Sequence, residues 1–162
     1  MDIVIKHGNI FDSHCDLLVN PVNCVGVMGA GLALQFKIQY PDMFKFYKNA
    51  CRNKILKPGY PAIYYNQATS LIRPQGIVLF PTKYDWREDS KFEYIESGLK
   101  FLIDLIYRTN MSIGVKGTSI AFPKIGCGLG KLDWTIVKEQ MISILNKSDN
   151  ATNALGTIEI YE

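Results

Sequence analysis

Val19-Asn-Pro-Val-Asn-Cys-Val-Gly-Val-Met-Gly-Ala-Gly-Leu-Ala-Leu-Gln-Phe-Lys37 leaves a short apolar run, crosses three glycines in six residues and enters a helix-forming segment. The apolar run, Asp16 to Val22, reads as a strand. Glycines 26, 29 and 31 permit φ > 0, so that successive N–H groups can face one anion, and a helix start adds the favourable end of its dipole. A second junction of the same kind follows later. Thr118 to Phe122 reads as a buried strand, Gly126-Cys-Gly-Leu-Gly130 as its loop, and Asp133 as the cap of a helix through Asn146. Neither loop carries the Gly-Lys-Ser/Thr ending of a P-loop or the G-x-G-x-x-G spacing after the first strand, which argues against both nucleotide folds. One glycine-rich loop is as readily a tight turn; two of them frame a cleft suited to a diphosphate.

Outward from these junctions the pattern is strand and helix in alternation. Asp2 to His7 alternates and stops at Gly8-Asn9. Leu32, Leu34, Phe36 and Ile38 mark one helix, Tyr40-Pro41 opens a second, and Met43, Phe44, Phe46 and Tyr47 are expected to pack from it. Lys57-Pro58-Gly59 ends the helical region. Ala62 to Tyr65 and Ile77 to Phe80 read as a hairpin-like pair around Arg73-Pro-Gln-Gly76. Ser90-x-x-Glu93 has capping-box spacing ahead of the longest helix, marked by Phe92, Ile95, Leu99, Leu102, Ile103 and Ile106. Residues 146–156 read as a polar surface loop, and Thr157 to Tyr161 as the closing strand. The pattern predicts a layered α/β fold with ligands at the carboxyl ends of strands.

At 162 residues the chain is the size of one domain, 1–162, able to bury roughly 70% of its unfolded surface. Its 48% hydrophobic and 20% charged residues are those of an ordinary globular protein, and a net charge of +3 neither requires nor excludes a phosphate-bearing partner. Cys15, Cys24, Cys51 and Cys127 are scattered without a C-x-x-C pair, which argues against a metal site and for reduced thiols. With no signal-like N-terminus and no apolar run of about 18 residues, the reading is cytoplasmic, with no membrane contact. His7 and His14 are expected at a strand end or loop, outside any catalysis.

Asn20 and Asn23 flank the first loop, where their amides can meet sugar hydroxyls or merely satisfy a turn. Phe80-Pro-Thr-Lys-Tyr-Asp-Trp-Arg-Glu88 leaves a strand with Lys83, Tyr84, Trp86 and Arg87 in one loop. A lysine beside phosphates and a ribose can steady an oxyanion, move a proton or, if desolvated, attack an anomeric carbon. Tyr84, Trp86 and Arg87 can stack on a base or neutralise a nucleic-acid backbone; the alternative is a loop anchored by its tryptophan.

The run from Val19 to Lys37 closely resembles the ligand-binding signature of macrodomains. Pro81-Thr-Lys-Tyr-Asp-Trp-Arg87 and Pro123-Lys-Ile-Gly-Cys-Gly-Leu-Gly-Lys-Leu-Asp-Trp134 resemble two further motifs of the branch that holds the DarG antitoxin macrodomains and the terminal ADP-ribose protein glycohydrolase. The resemblance spans Asp2 to Tyr161. It implies a three-layer α/β/α sandwich with a mixed central sheet and ADP-ribose in the cleft. It implies ligand contacts from Asn9, Ile10, Asn20, Asn23, Gly26, Val27, Met28, Gly29, Ala30 and Gly31, and from Pro123, Ile125, Gly126, Cys127, Gly128, Leu129 and Gly130. Lys83 matches the catalytic lysine, and Asn23 would orient the distal ribose. The implied reaction is N-glycosidic hydrolysis releasing ADP-ribose from thymidine in single-stranded DNA, contacted by Tyr84, Trp86 and Arg87, and reversing a cognate ADP-ribosyltransferase toxin. It needs no cofactor and no metal. Protein-directed relatives cleave glutamate esters with a lysine and an acid; the acid is matched here by Gly130. A non-catalytic reader of ADP-ribose is the other alternative. Asn9 stands where an aspartate usually reads the adenine amino group, and Asp12 could share that task. Relatives carry a toxin-binding region after this domain, whereas the chain ends with the fold, as a stand-alone homologue or a trimmed piece would.

Overall fold

The computed structural model describes residues 1–66 and 71–162. Strands β1 (Asp2–Lys6), β2 (Leu17–Val22), β3 (Ala62–Tyr65), β4 (Gly76–Pro81), β5 (Thr118–Phe122) and β6 (Leu155–Tyr161) form a sheet in the order β1-β6-β5-β2-β4-β3. All neighbours are parallel except β3, which runs antiparallel to β4 as the hairpin-like reading expected. The sheet is therefore mixed. Among the helices, α1 (Gly31–Gln39) and α2 (Pro41–Arg52) follow β2, α3 (Phe92–Ile113) follows β4, and α4 (Trp134–Asn146) and α5 (Asp149–Ala154) lie between β5 and β6.

Side-chain alternation along each strand divides the interior in two, since successive residues point to opposite faces. Leu17, Val19, Val78, Phe80, Ile120, Phe122, Ile158 and Ile160 pack under α3, α4 and α5. Leu18, Val22, Ile77, Leu79 and Ala121 face α1 and α2, against Phe36, Met43 and Tyr47. Both faces of β2 and β4 are covered, which explains why these strands read as continuous apolar runs. Each such Val, Leu, Ile or Phe side chain contributes about 1.5–3 kcal/mol on burial, and a one-residue slip of β2 would exchange its two sets of partners. The result is the expected three-layer sandwich.

Three local expectations are corrected. Ser90 does not cap α3: Lys91 holds the cap position without a side-chain bond, and the Ser90 hydroxyl donates to Thr82 Oγ1 (3.0 Å). Within 146–156, the residues form α5, because Ser148 Oγ accepts from the Ala151 N–H and Ala151 and Ala154 are buried. Phe46 packs at the margin only: it is 41% exposed, outside the stripe of Met43, Tyr47 and Ala50, with its ring 5.5 Å from that of Tyr64.

Candidate functional site

Parallel strands deliver their carboxyl ends to one edge, where open α/β sheets form ligand crevices. Gly8 to Ile10 follows β1, residues 23–30 follow β2, 82–91 follow β4, and 123–133 follow β5. A cleft of about 380 Å³ opens on this edge, bounded by Asn9, Ile10, Leu32, Gln35, Pro123 and Tyr161 among others. Of the expected contacts, Asn9, Ile10 and Pro123 lie on it. Asn9 is exposed, but its Oδ1 already accepts from the Phe11 N–H (3.0 Å), capping the turn Ile10–Asp12, so one of its two acceptor positions is occupied. The Ile10 side chain is buried among the α1 and α2 partners.

Asn23 organises the first glycine loop. Its Oδ1 accepts from the N–H of Val25 (3.1 Å) and of Val27 (3.4 Å) and from the Tyr47 hydroxyl (2.6 Å), while its Nδ2 donates to the Val27 carbonyl (2.8 Å). One Nδ2 proton remains for another partner. Gly26 (φ 82°) and Gly31 (φ 58°) take the left-handed conformation that L side chains disfavour, whereas Gly29 does not. Ala30, the N-cap of α1, has no side-chain capping bond, so the first-turn N–H groups rely on other acceptors. Gly29, Ala30 and Val27 are exposed, and Met28 is buried beneath them. Asn20 is fully buried, donating weakly to Met28 Sδ (3.8 Å), and its Oδ1 has no hydrogen-bond partner among the described residues. Asn20 thus sits under the loop, not on its outer face.

The second loop is built from turns: the Cys127 N–H donates to Lys124 O, Lys131 to Gly128 O and Leu132 to Gly126 O. Gly126 has φ 73°. At Gly130 a Cβ would lie 2.3 Å from Ser90 Oγ and 2.5 Å from Gly126 O, so no side chain fits there. Ile125 is buried in the core and offers only backbone to the site, while Gly128 and Leu129 are exposed. Burial pushes the Cys127 thiol up to about 11. The two loops approach each other, with Leu129 Cδ1 3.8 Å from where a Cβ on Gly31 would be.

Lys83 emerges between them. It is 9% exposed, and desolvation lowers its pKa from the ordinary lysine value, against the opposing charges of Asp89 and Glu88 and with a further lowering from Lys131. Its loop is tied to the first through Cys24 N–H to Tyr84 O (2.7 Å) and Thr82 N–H to Val22 O (3.1 Å). It is tied to the second through Ser90 N–H to Gly130 O (3.0 Å) and the exposed Lys131–Asp89 ion pair (3.3 Å). Tyr84 and Trp86 are more than half exposed, and the Arg87 guanidinium stands 5.4 Å from the Trp86 ring centroid. Arg87 is also paired with Asp85 through two contacts (2.8 and 2.7 Å), which hold the Asp85 carboxyl down at about 2. Its charge is thereby shared within the loop. His7 and His14 are exposed, and no set of three or more His, Cys, Asp or Glu residues that could hold a metal stands among the described residues.

Sequence reasoning therefore located the loops but not the side chains that pin them: Tyr47, Thr82, Ser90, Asp89 and Lys131. Tyr47 repeats four residues after Met43, a spacing that reads as packing alone.

The sequence pattern of the Macro domain family matches residues 19–141. The DNA ADP-ribosyl glycohydrolase of Mycobacterium tuberculosis is 41% identical over 141 residues, 87% of this chain and 38% of that protein; its Thermus aquaticus namesake is 38% identical over 154 residues, 95% of this chain and 39% of that protein. The chain spans well under half the length of these relatives. Solved structures are similar throughout. The macrodomain of M. tuberculosis DarG superposes with a TM-score of 0.83 at 36% identity, covering 98% of this chain and 96% of that one. Thermosipho africanus DarTG in complex with ADP-ribose gives 0.79 at 32% identity, covering 98% of this chain and 42% of that one.

Proposed function

Because this chain belongs to the Macro domain family, we propose that it binds ADP-ribose along the strand-end cleft and hydrolyses the N-glycosidic bond joining it to thymidine in single-stranded DNA. The observation that carries the catalytic part is Lys83: a nearly buried lysine with a lowered pKa, held by backbone bonds between two glycine-rich loops. The base end of the ligand takes the cleft at Asn9, Ile10 and Pro123. Its diphosphate lies against the N–H groups of Gly26 to Gly31 at the start of α1 and of Gly126 to Gly130, and the distal ribose meets the remaining Asn23 amide proton. Helix N-termini and glycine loops suit that charge.

In the reaction the C–N bond to the base breaks with its electron pair leaving on thymine, water forms the new C–O bond at the anomeric carbon, and the proton that water sheds balances the one the base takes up. Protonated Lys83 stabilises the developing charge or delivers the proton the base requires. Tyr84 and Trp86 offer stacking surface to the DNA, with Arg87 beside a phosphate. Gly130 supports this reading over cleavage of a glutamate ester, because an acid at that position would collide with Ser90 and the Gly126 carbonyl. The T. africanus relative, a DNA ADP-ribosyl transferase and glycohydrolase in one fusion protein, supports pairing with such a transferase, and all four cysteines are free, as they would be in a reducing cytoplasm. None of the described helices is long and apolar enough to cross a membrane.

The test is release of ADP-ribose from a thymidine-ADP-ribosylated oligonucleotide by wild type and Lys83→Ala. Cleavage by wild type alone supports the assignment. ADP-ribose binding without cleavage by either leaves a reader, and release only from glutamyl-ADP-ribose peptides moves the activity to protein esters.

A further inference from the structure

The Tyr47 hydroxyl is fully buried, yet it sits among oxygen acceptors: Asn23 Oδ1 at 2.6 Å, the Asn23 carbonyl at 3.0 Å and the Val27 carbonyl at 3.5 Å. A hydroxyl has one proton to donate, and the shortest contact is to the side-chain amide. That amide is the end of a short relay. Asn23 Oδ1 gathers the N–H groups of Val25 and Val27, and Nδ2 returns to the Val27 carbonyl, so that both faces of the amide are spent on loop 24–30 except one Nδ2 proton. The backbone contacts to Oδ1 are the longer ones, at 3.1 and 3.4 Å against 2.6 Å for Tyr47, so without the hydroxyl the carbonyl end of the amide rests on them alone while Nδ2 keeps its bond to the Val27 carbonyl. Burial raises the Tyr47 pKa far above that of an exposed tyrosine, so the hydroxyl keeps its proton at every working pH.

We propose that Tyr47 is a positioning residue of the site: from α2, behind the loop, it locks the Asn23 amide with its carbonyl inward, and so presents the free Nδ2 proton to the distal ribose. This rests on the reading that ADP-ribose occupies the cleft. Tyr47 touches no ligand; it acts through Asn23. Phenylalanine at 47 preserves the packing against Phe44 and Met43 while removing only the donor.

The experiment is a double-mutant cycle on ADP-ribose affinity, by calorimetry, for wild type, Tyr47→Phe, Asn23→Ala and the pair. Tyr47→Phe is expected to weaken binding roughly tenfold in the wild-type background, the scale of one buried hydrogen bond, and by less than about twofold where Asn23 is already alanine. A purely structural contribution would cost the same in both backgrounds, and that result, or no loss in either, overturns the proposal. The Asn23 side-chain amide signals of the free protein give a second reading that needs no ligand. They shift or broaden in Tyr47→Phe if the hydroxyl holds the amide; unchanged signals overturn the proposal. Should the wild type bind no ADP-ribose, the functional reading falls, while the amide signals still decide whether Tyr47 holds Asn23.

Discussion

The two glycine-rich loops look alike in sequence and are held by different physics. Residues 23–31 are shaped by a side chain of their own, Asn23, supported by Tyr47 behind it, and Gly26 and Gly31 serve for their positive φ. Residues 123–132 are shaped by consecutive backbone turns and by exclusion: Gly130 is glycine because Ser90 and the Gly126 carbonyl fill the space around it. Gly130 therefore marks closeness, whereas Gly26 and Gly31, like Gly126 at the start of the second loop (φ 73°), mark freedom. A motif reading sees the same letter in both.

The sharpest way to separate binding by these loops from chemistry between them is Lys83→Ala. It should lower turnover about 10²–10⁴-fold, with ADP-ribose affinity by calorimetry within about threefold; equal losses in both would place Lys83 among the binding groups. Because desolvation lowers the Lys83 pKa and the protonated form is the working one, activity should fall as pH rises through that pKa, beginning below the ordinary value of 10.5. An alkaline rise instead would make the neutral amine the active species.

Gly130→Ala tests exclusion. With a backbone oxygen and Ser90 Cβ (2.8 Å) both in the way, it should cost about 2–3 kcal/mol in denaturant unfolding, and Ser90→Ala should relieve only part. Next comes Gly31→Ala, where the surroundings leave room but φ is 58°; about 1–2 kcal/mol is expected from backbone strain. Gly128→Ala should be nearly silent, within about 0.5 kcal/mol, since nothing lies within 4 Å and φ is not left-handed. A large loss there in stability would erase the distinction between the loops, whereas a loss in affinity alone would place the ligand against Gly128.

Much of the architecture was legible because parallel strands buried on both sides leave apolar runs, and because glycine, proline and Asp133 mark their junctions. The site was read as segments: the two glycine-rich loops after β2 and β5 as walls of one cleft, and the loop after β4 as the carrier of Lys83. What joins them was not. Ser90 looked like a helix cap because Glu93 follows at the right spacing, yet its hydroxyl turns to Thr82 and its N–H to Gly130, partners 8 and 40 residues away. Tyr47 looked like core because it is fully buried there. Asn20 was read from its place beside the loop, and the sequence did not show that β2 buries it beneath Met28. For Ser90 and Tyr47 the local pattern was right about position, and partners on other elements set their contacts. Short α5 escaped because its polar residues carry little periodicity beyond the Ser148 cap.

At the opposite edge of the sheet, Asp16 bonds the N–H and hydroxyl of Ser119 at the head of β5, and its carboxylate pairs with Arg73 (2.6 Å) before β4. Its own carbonyl accepts from Gln75 and Gly76. One residue thus clamps the starts of the three strands whose far ends carry the site. The three strands are fixed at both ends, by Asp16 at the stem and by the loop-to-loop bonds at the tips, so the spacing of the cleft walls is set from below as well as from within.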